Sequence, residues 1–250
     1  HIDNLPAGAS LVGPSGIPAA GQIFTDTKGM QDHSTPEPLT REGIQSVIKG
    51  YVTAAQNAVA AGFDGIELHG ANGYLPEQFL HPLINTRTDE YGGSIANRAR
   101  FILEVAKAIA SAIGKDKAGV RLSPFSTLGD LPLYAEEAVH ATYAYLAEEF
   151  NKIGIAYLHI GLNPAIPQKT LEAIRAAFTR TIILCNGFNA TTAAAALQAG
   201  IADLVAFGRA FLANPDLVKR IEKNAGLNTP RMEKAFTPGA EGYTDYPFLS

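Results

Sequence analysis

Cysteine is nearly absent: one residue, Cys185, in 250. A single thiol excludes a disulfide framework, a cysteine-rich zinc site and a cysteine-held iron–sulfur cluster within this chain. A surplus of positive charge is missing too. Lys and Arg total 20 against 24 Asp and Glu, a net charge of −4, so there is no basic footprint for nucleic acid or an anionic membrane. No apolar run approaches the length of a membrane span, and the first residues have neither the charged start nor the apolar stretch of a secretory signal. A soluble, cytoplasmic protein is the expectation. No Gly-x-Gly-x-x-Gly lies between a strand and a helix, which argues against a Rossmann dinucleotide fold. No Lys stands at a strand end to form the Schiff base of an aldolase. His33, His81, His140 and His159 form no ligand-spaced cluster, so no metal is assigned.

What is present is an alternating pattern. Residues 1–39 are rich in Gly, Pro, Ser, Asp and Thr, and read as loops with short strands near Ser10–Gly13 and Gly21–Thr25. The chain opens at His1 as though in the middle of something larger. From Thr40, a plausible N-cap, apolar residues repeat at helical spacing from Ile44 to Val59 until Gly62 stops them. A strand follows over Asp64–Leu68. A helix from Ser94 to Gly114 leads to a strand over Ala118–Leu122, and one over 135–152 leads to Ile155–Ile160. Helices over 168–178 and 191–199 lead to strands Thr181–Leu184 and Leu204–Phe207, and a last helix covers 215–224. Five strands alternating with helices predict a parallel sheet with helices outside. A closed barrel needs eight, which leaves three units, about a hundred residues, unaccounted for.

The run His69-Gly70-Ala71-Asn72-Gly73-Tyr74 falls where the first of these strands ends, and α/β folds collect ligands at the carboxyl ends of strands. An imidazole, an amide and a phenol within one turn can donate three hydrogen bonds into a pocket, with Gly70 and Gly73 bending the backbone. A polar surface loop is the alternative on spacing alone.

With this motif, Gln78-Phe79-Leu80, the stretch from Asn85 to Arg98 containing Arg87-Thr88-Asp89-Glu90-Tyr91-Gly92-Gly93-Ser94, Gly119-Val120-Arg121-Leu122-Ser123-Pro124, Ala206-Phe207-Gly208-Arg209 and Gly242-Tyr243-Thr244-Asp245-Tyr246-Pro247, the chain resembles the old yellow enzyme family. These are flavin-dependent ene-reductases, and the likeness is to bacterial members that reduce N-ethylmaleimide and nitrate esters. The resemblance implies a (β/α)8 TIM barrel with flavin mononucleotide (FMN) at its carboxyl end. On that template the five strands are the fourth to eighth. Residues 1–250 form a single domain, the C-terminal part of the barrel, with the first three βα units absent. A complementary N-terminal barrel fragment on a second polypeptide is then the expected partner. The rival is a non-catalytic truncated or split fragment that serves only in an interaction. The larger relatives that act on dienoyl-CoA carry an iron–sulfur cluster, and one cysteine argues against that branch.

The same resemblance implies roles. His69 and Asn72 grip the carbonyl or nitro oxygen of a small electron-poor alkene, such as an enone, maleimide or nitroalkene, and Tyr74 protonates its α-carbon. Arg121 reaches the pyrimidine edge of the flavin. Gly187 and Phe188, with Gly208 and Arg209, form the phosphate cradle. Tyr243 lines the substrate pocket, with Phe125 near it. NADPH or NADH reduces the flavin and leaves before the alkene binds, a ping-pong cycle. From the residues alone other readings stay open: a buried, satisfied His69, an aromatic packing role for Tyr74, an ion pair of Arg121 with Glu67, and a surface tail for Tyr243. Cys185 reads as a small hydrophobe.

Overall fold

A computed structural model describes residues 1–249. The chain divides into two compact units, residues 1–182 and 183–250.

The first unit begins with four short strands. β1 (Val12–Gly13) pairs in parallel with β4 (Glu37–Pro38), and β2 (Gln22–Thr25) pairs antiparallel with β3 (Gly29–Asp32). Helix α1 (Arg41–Ala60) starts where Thr40 Oγ1 accepts the Gly43 N–H at 3.0 Å and stops before Gly62, whose φ of 97° only glycine adopts readily. Then come β5 (Ile66–Gly70), α2 (Leu75–Leu80), α3 (Ile95–Ile113), β6 (Ala118–Leu122), α4 (Glu136–Ile153), β7 (Tyr157–Gly161) and α5 (Gln168–Ala177). Ser94 caps α3, and Gly154 ends α4 in the left-handed conformation.

β5, β6 and β7 run parallel, with His69 opposite Arg121 and Arg121 opposite His159. Side chains alternate between faces along a strand. One face buries Leu68, Val120, Leu122, Leu158 and Ile160 with Phe101, Ile102, Leu146 and Phe150 of the helices. That is the core, and its removal from water is the main driving force for this layer. The other face carries Glu67, His69, Gly119, Arg121, Tyr157 and His159.

The second unit holds most of β8 (Thr181–Cys185), then α6 (Ala190–Gln198), β9 (Leu204–Ala206), α7 (Arg209–Ala213) and α8 (Leu217–Glu222). β8 and β9 pair in parallel from Ile183↔Leu204 to Cys185↔Ala206. Buried Arg220 ties the C-terminal segment down, donating to Gly226 O and Pro247 O, with Asp216 as its ion-pair partner at 2.7 Å. No helix among the described residues is long and apolar enough to cross a membrane.

Three expectations shift. The first core strand covers 66–70 and not 64–68, because Gly65 passes so close to Lys117 that a Cβ would lie 2.4 Å from its carbonyl oxygen, and regular pairing starts at Ile66↔Ala118. The helix expected over 215–224 is the shorter α8 over Leu217–Glu222, and the unexpected α7 before it ends ahead of Asn214-Pro215, where proline disfavours helical backbone in the residue before it. Helix α2, six residues long, was not anticipated.

Candidate functional site

The polar face of the first unit is organised by its two facing rows. In one, a Cβ on Gly119 would sit 2.1 Å from the Tyr157 ring, so glycine there is what allows that ring to lie across the sheet. In the other, Arg121 stands between His69 and His159. The Arg121–Glu67 ion pair left open by the sequence is not formed. Glu67 Oε2 instead meets His159 Nδ1 at 2.9 Å. Burial pushes the Glu67 pKa up, but hydrogen bonds from His159 and Tyr157 and the charge of Arg121 more than offset it, and the carboxyl stays below its ordinary range. Arg121 makes no ion pair among the described residues, and its Nε is buried without a hydrogen-bond partner. A buried guanidinium nitrogen with nothing to donate to is unfavourable unless an acceptor from outside the chain completes it.

His69 is not the buried, carbonyl-satisfied histidine. It is exposed, and its Nδ1 accepts the Ala71 N–H at 3.3 Å, which places the ring proton on Nε2. Burial of part of the ring, then the charge of Arg121, hold its pKa below 6.5, so a neutral donor is present at neutral pH. Tyr74 is 60% exposed and meets His69 edge-on, with ring centroids 4.8 Å apart, which leaves it outside the packed core. Neither the Asn72 amide nor the Tyr74 hydroxyl hydrogen-bonds to another described residue.

The bend that gathers these groups arises differently from expectation. Gly70 belongs to β5, and its missing Cβ leaves room for Ile102 Cδ1, which a Cβ would approach to 2.6 Å. Asn72 (φ 57°) and Gly73 (φ 81°) make the turn. The loop after β6 presses on it. A Cβ on Gly73 would lie 2.6 Å from Leu128 O, and one on Gly129 would lie 3.0 Å from Asn72 O. Phe125 and Asp130 in that loop are also left-handed.

Three residues in this region escaped the sequence reading. Ser123 Oγ accepts the Asn72 N–H at 2.8 Å and donates to Glu77 Oε1 at 2.8 Å. Glu77 Oε1 also accepts from the Tyr143 hydroxyl at 2.8 Å, while its Oε2 accepts the Gly73 N–H at 2.7 Å. The only available signal was a Glu four residues after Gly73 at the start of a helix too short to show a period.

In the second unit, the paired ends of β8 and β9 set two loops side by side. Asn186 (φ 75°) and Gly187 (φ 73°) form the turn after β8, followed by half-buried Phe188. After β9, Gly208 precedes α7, whose first residue is Arg209, and both are exposed. A Cβ on Gly187 or Gly208 would meet nothing within 4 Å, which leaves open space in front of both loops. Cys185 is buried beside them, as expected of a small hydrophobe. Tyr243 is 37% exposed with its hydroxyl accepting the Phe236 N–H at 2.7 Å, so it is held within the C-terminal segment and not loose on a tail.

Comparison with known proteins places this arrangement in context. The family model for the NADH:flavin oxidoreductase / NADH oxidase family matches residues 8–228. The 12-oxophytodienoate reductase 2 of Arabidopsis thaliana is 44% identical over 223 residues, covering 86% of this chain and 59% of the plant protein. A protein of Leishmania infantum named "Probable flavin mononucleotide-dependent alkene reductase" is 39% identical over 252 residues, covering 98% of this chain and 68% of its own length. Among solved structures, morphinone reductase in complex with tetrahydroNAD superposes with a TM-score of 0.92 at 42% identity, covering 98% of this chain and 68% of that one. The chain thus spans about three fifths of the plant relative.

Proposed function

This chain belongs to the NADH:flavin oxidoreductase / NADH oxidase family, the old yellow enzyme family, and on that premise we propose that it is an FMN-dependent ene-reductase acting on activated alkenes. The observation that carries the reading is the Arg121 guanidinium, which makes no ion pair among the described residues and has its Nε buried without a hydrogen-bond partner, beside the exposed His69. A flavin's pyrimidine edge offers acceptor atoms of the kind Arg121 Nε lacks. Within the second unit, the open glycine loops at 187 and 208, with the forked cation of Arg209, suit a phosphate group. When bound, FMN would supply the hydride chemistry, between a nicotinamide and the alkene's β-carbon.

The chain's own residues handle the charge and the proton. As negative charge builds on the carbonyl or nitro oxygen, His69 Nε2–H and the Asn72 amide donate to it and stabilise the transition state more than the ground state. A flat anion such as a phenolate fits the same two donors. The exposed Tyr74 hydroxyl is the proton donor to the α-carbon. NADPH or NADH and the alkene use this site in turn. A cytoplasmic setting, where nicotinamide reductants are supplied, belongs to the same proposal.

A complementary barrel segment on a second polypeptide is also proposed. Among the described residues the outer edge of β5 has no strand partner, and an unpaired edge is a template for another strand. The test is the visible spectrum of the protein, alone and with such a segment, after FMN addition and desalting. Retained flavin that NADPH or NADH bleaches and N-ethylmaleimide restores supports the reading. No retained flavin in either case supports the non-catalytic fragment instead.

A further inference from the structure

The turn that aims Asn72 is unusual in how completely its backbone is held from behind. Its two residues are left-handed, and an isolated Asn-Gly turn of this kind has many competing conformations. Here Ser123 takes the Asn72 N–H, Glu77 takes the Gly73 N–H, and Gln78 Nε2 donates to Gly73 O at 2.7 Å. Glu77 connects all of it, because the hydroxyl of Ser123 that receives Asn72 is itself oriented by donating to Glu77 Oε1. Tyr143 completes that oxygen from α4.

The carboxyl group is 3% exposed, has no cationic partner among the described residues, and bonds to none of the catalytic side chains. A well-packed apolar residue is usually no less stabilising in such a place than a buried charge, so a carboxyl there calls for a role beyond packing. An N3 glutamate ordinarily reaches back to the N-cap N–H of its helix. Glu77 is the N3 residue of α2, whose N-cap is Tyr74, yet it reaches one residue further, to Gly73.

We propose that Glu77 is a positioning residue of the reduction site: through Gly73 and Ser123 it fixes the Asn72–Gly73 turn and so sets the direction of the Asn72 amide toward the substrate oxygen. This rests on the ene-reductase reading. Burial pushes the Glu77 pKa up, against the hydrogen bonds it accepts from Gly73, Ser123 and Tyr143, consistent with a group held in place by geometry.

The test is phenol binding by the flavin-loaded protein, followed by calorimetry, in Glu77→Gln, Glu77→Leu, Ser123→Ala and Asn72→Ala, and in Glu77→Leu and Ser123→Ala each combined with Asn72→Ala. Glu77→Leu should weaken phenol binding about tenfold while FMN affinity changes less than about twofold, and Glu77→Gln should fall between it and wild type. With Asn72→Ala already present, Glu77→Leu and Ser123→Ala should add little, because their effect passes through the missing amide. Should Glu77→Leu not fold, Ser123→Ala breaks the same link from the other side. Additive losses, or no loss where Asn72→Ala alone weakens binding, overturn the positioning role and leave the ene-reductase reading intact. Absence of phenol binding in the wild-type holoprotein overturns both.

Discussion

Glu67 Oε2 lies 2.9 Å from His159 Nδ1, two strands away, and the contact passes beside the strand that carries Arg121. The carboxylate that could have neutralised Arg121 is thereby engaged by a histidine, and the guanidinium is kept for something else. An arginine committed to an ion pair would be a poorer ligand for an anionic or acceptor-rich group.

Arg121→Met should separate binding from stability. In the flavin-free protein it removes a partly buried cation that makes no ion pair among the described residues, so the melting temperature should hold or rise. FMN affinity should fall about tenfold to a hundredfold, the scale of losing a charge-assisted hydrogen bond. Thermal melts and FMN titration of the same preparation check both halves, and a fall in apo stability would contradict the unpaired state of Arg121.

Glu67 predicts an acid limb. Its folded pKa is depressed below 4.5, so its contribution to stability is present above that value and is lost as pH falls toward the folded pKa. Melting temperatures of wild type and Glu67→Gln should therefore differ most at neutral pH and draw together as pH falls below 4.5. Curves that stay parallel throughout the acid range would mean that the Glu67–His159 contact does not favour the carboxylate.

His69 runs in the opposite charge sense. Its folded pKa lies below 6.5, so the unfolded chain takes up a proton before the folded one does, and stability should fall as pH drops from 6.5 toward the folded value. His69→Asn, which does not titrate, should lose less in the same window. His69→Asn should also retain a neutral donor and bind phenol more tightly than His69→Ala, which should lose about tenfold.

Gly119→Ala should destabilise by about 1–3 kcal/mol, the usual scale of overpacking, because its methyl would enter the Tyr157 ring. Combining it with Tyr157→Ala should recover part of the loss. Equilibrium denaturation of the single and double variants measures the coupling, and simple additivity would place the clash elsewhere.

Much of the fold could be read along the chain because its stops are local. Thr40 and Ser94 cap their helices, and Gly62, Gly114 and Gly154 end theirs, each through backbone chemistry that extends over a few residues. Strand parity likewise placed Glu67 on the face of His69. What pairs with Glu67 was not readable, since His159 is 92 residues away and strand periodicity does not specify register across a sheet. Glu77 was hidden for another reason: α2 is too short for a hydrophobic period to emerge. The role assigned to Gly70 came from attributing the bend to both glycines, when Asn72 itself takes the left-handed turn.

The face-to-face glycines at 73 and 129 bear on how this pocket could be remodelled. A side chain at either position would push the two loops apart, so a graft of the segment after β6 from a protein without a glycine at that point would dislodge the Asn72 turn along with it. Leu128 and Leu133, 60% and 62% exposed, are apolar positions in that segment open to exchange. A library aimed at new substrates should vary those two and inherit Gly129 unchanged.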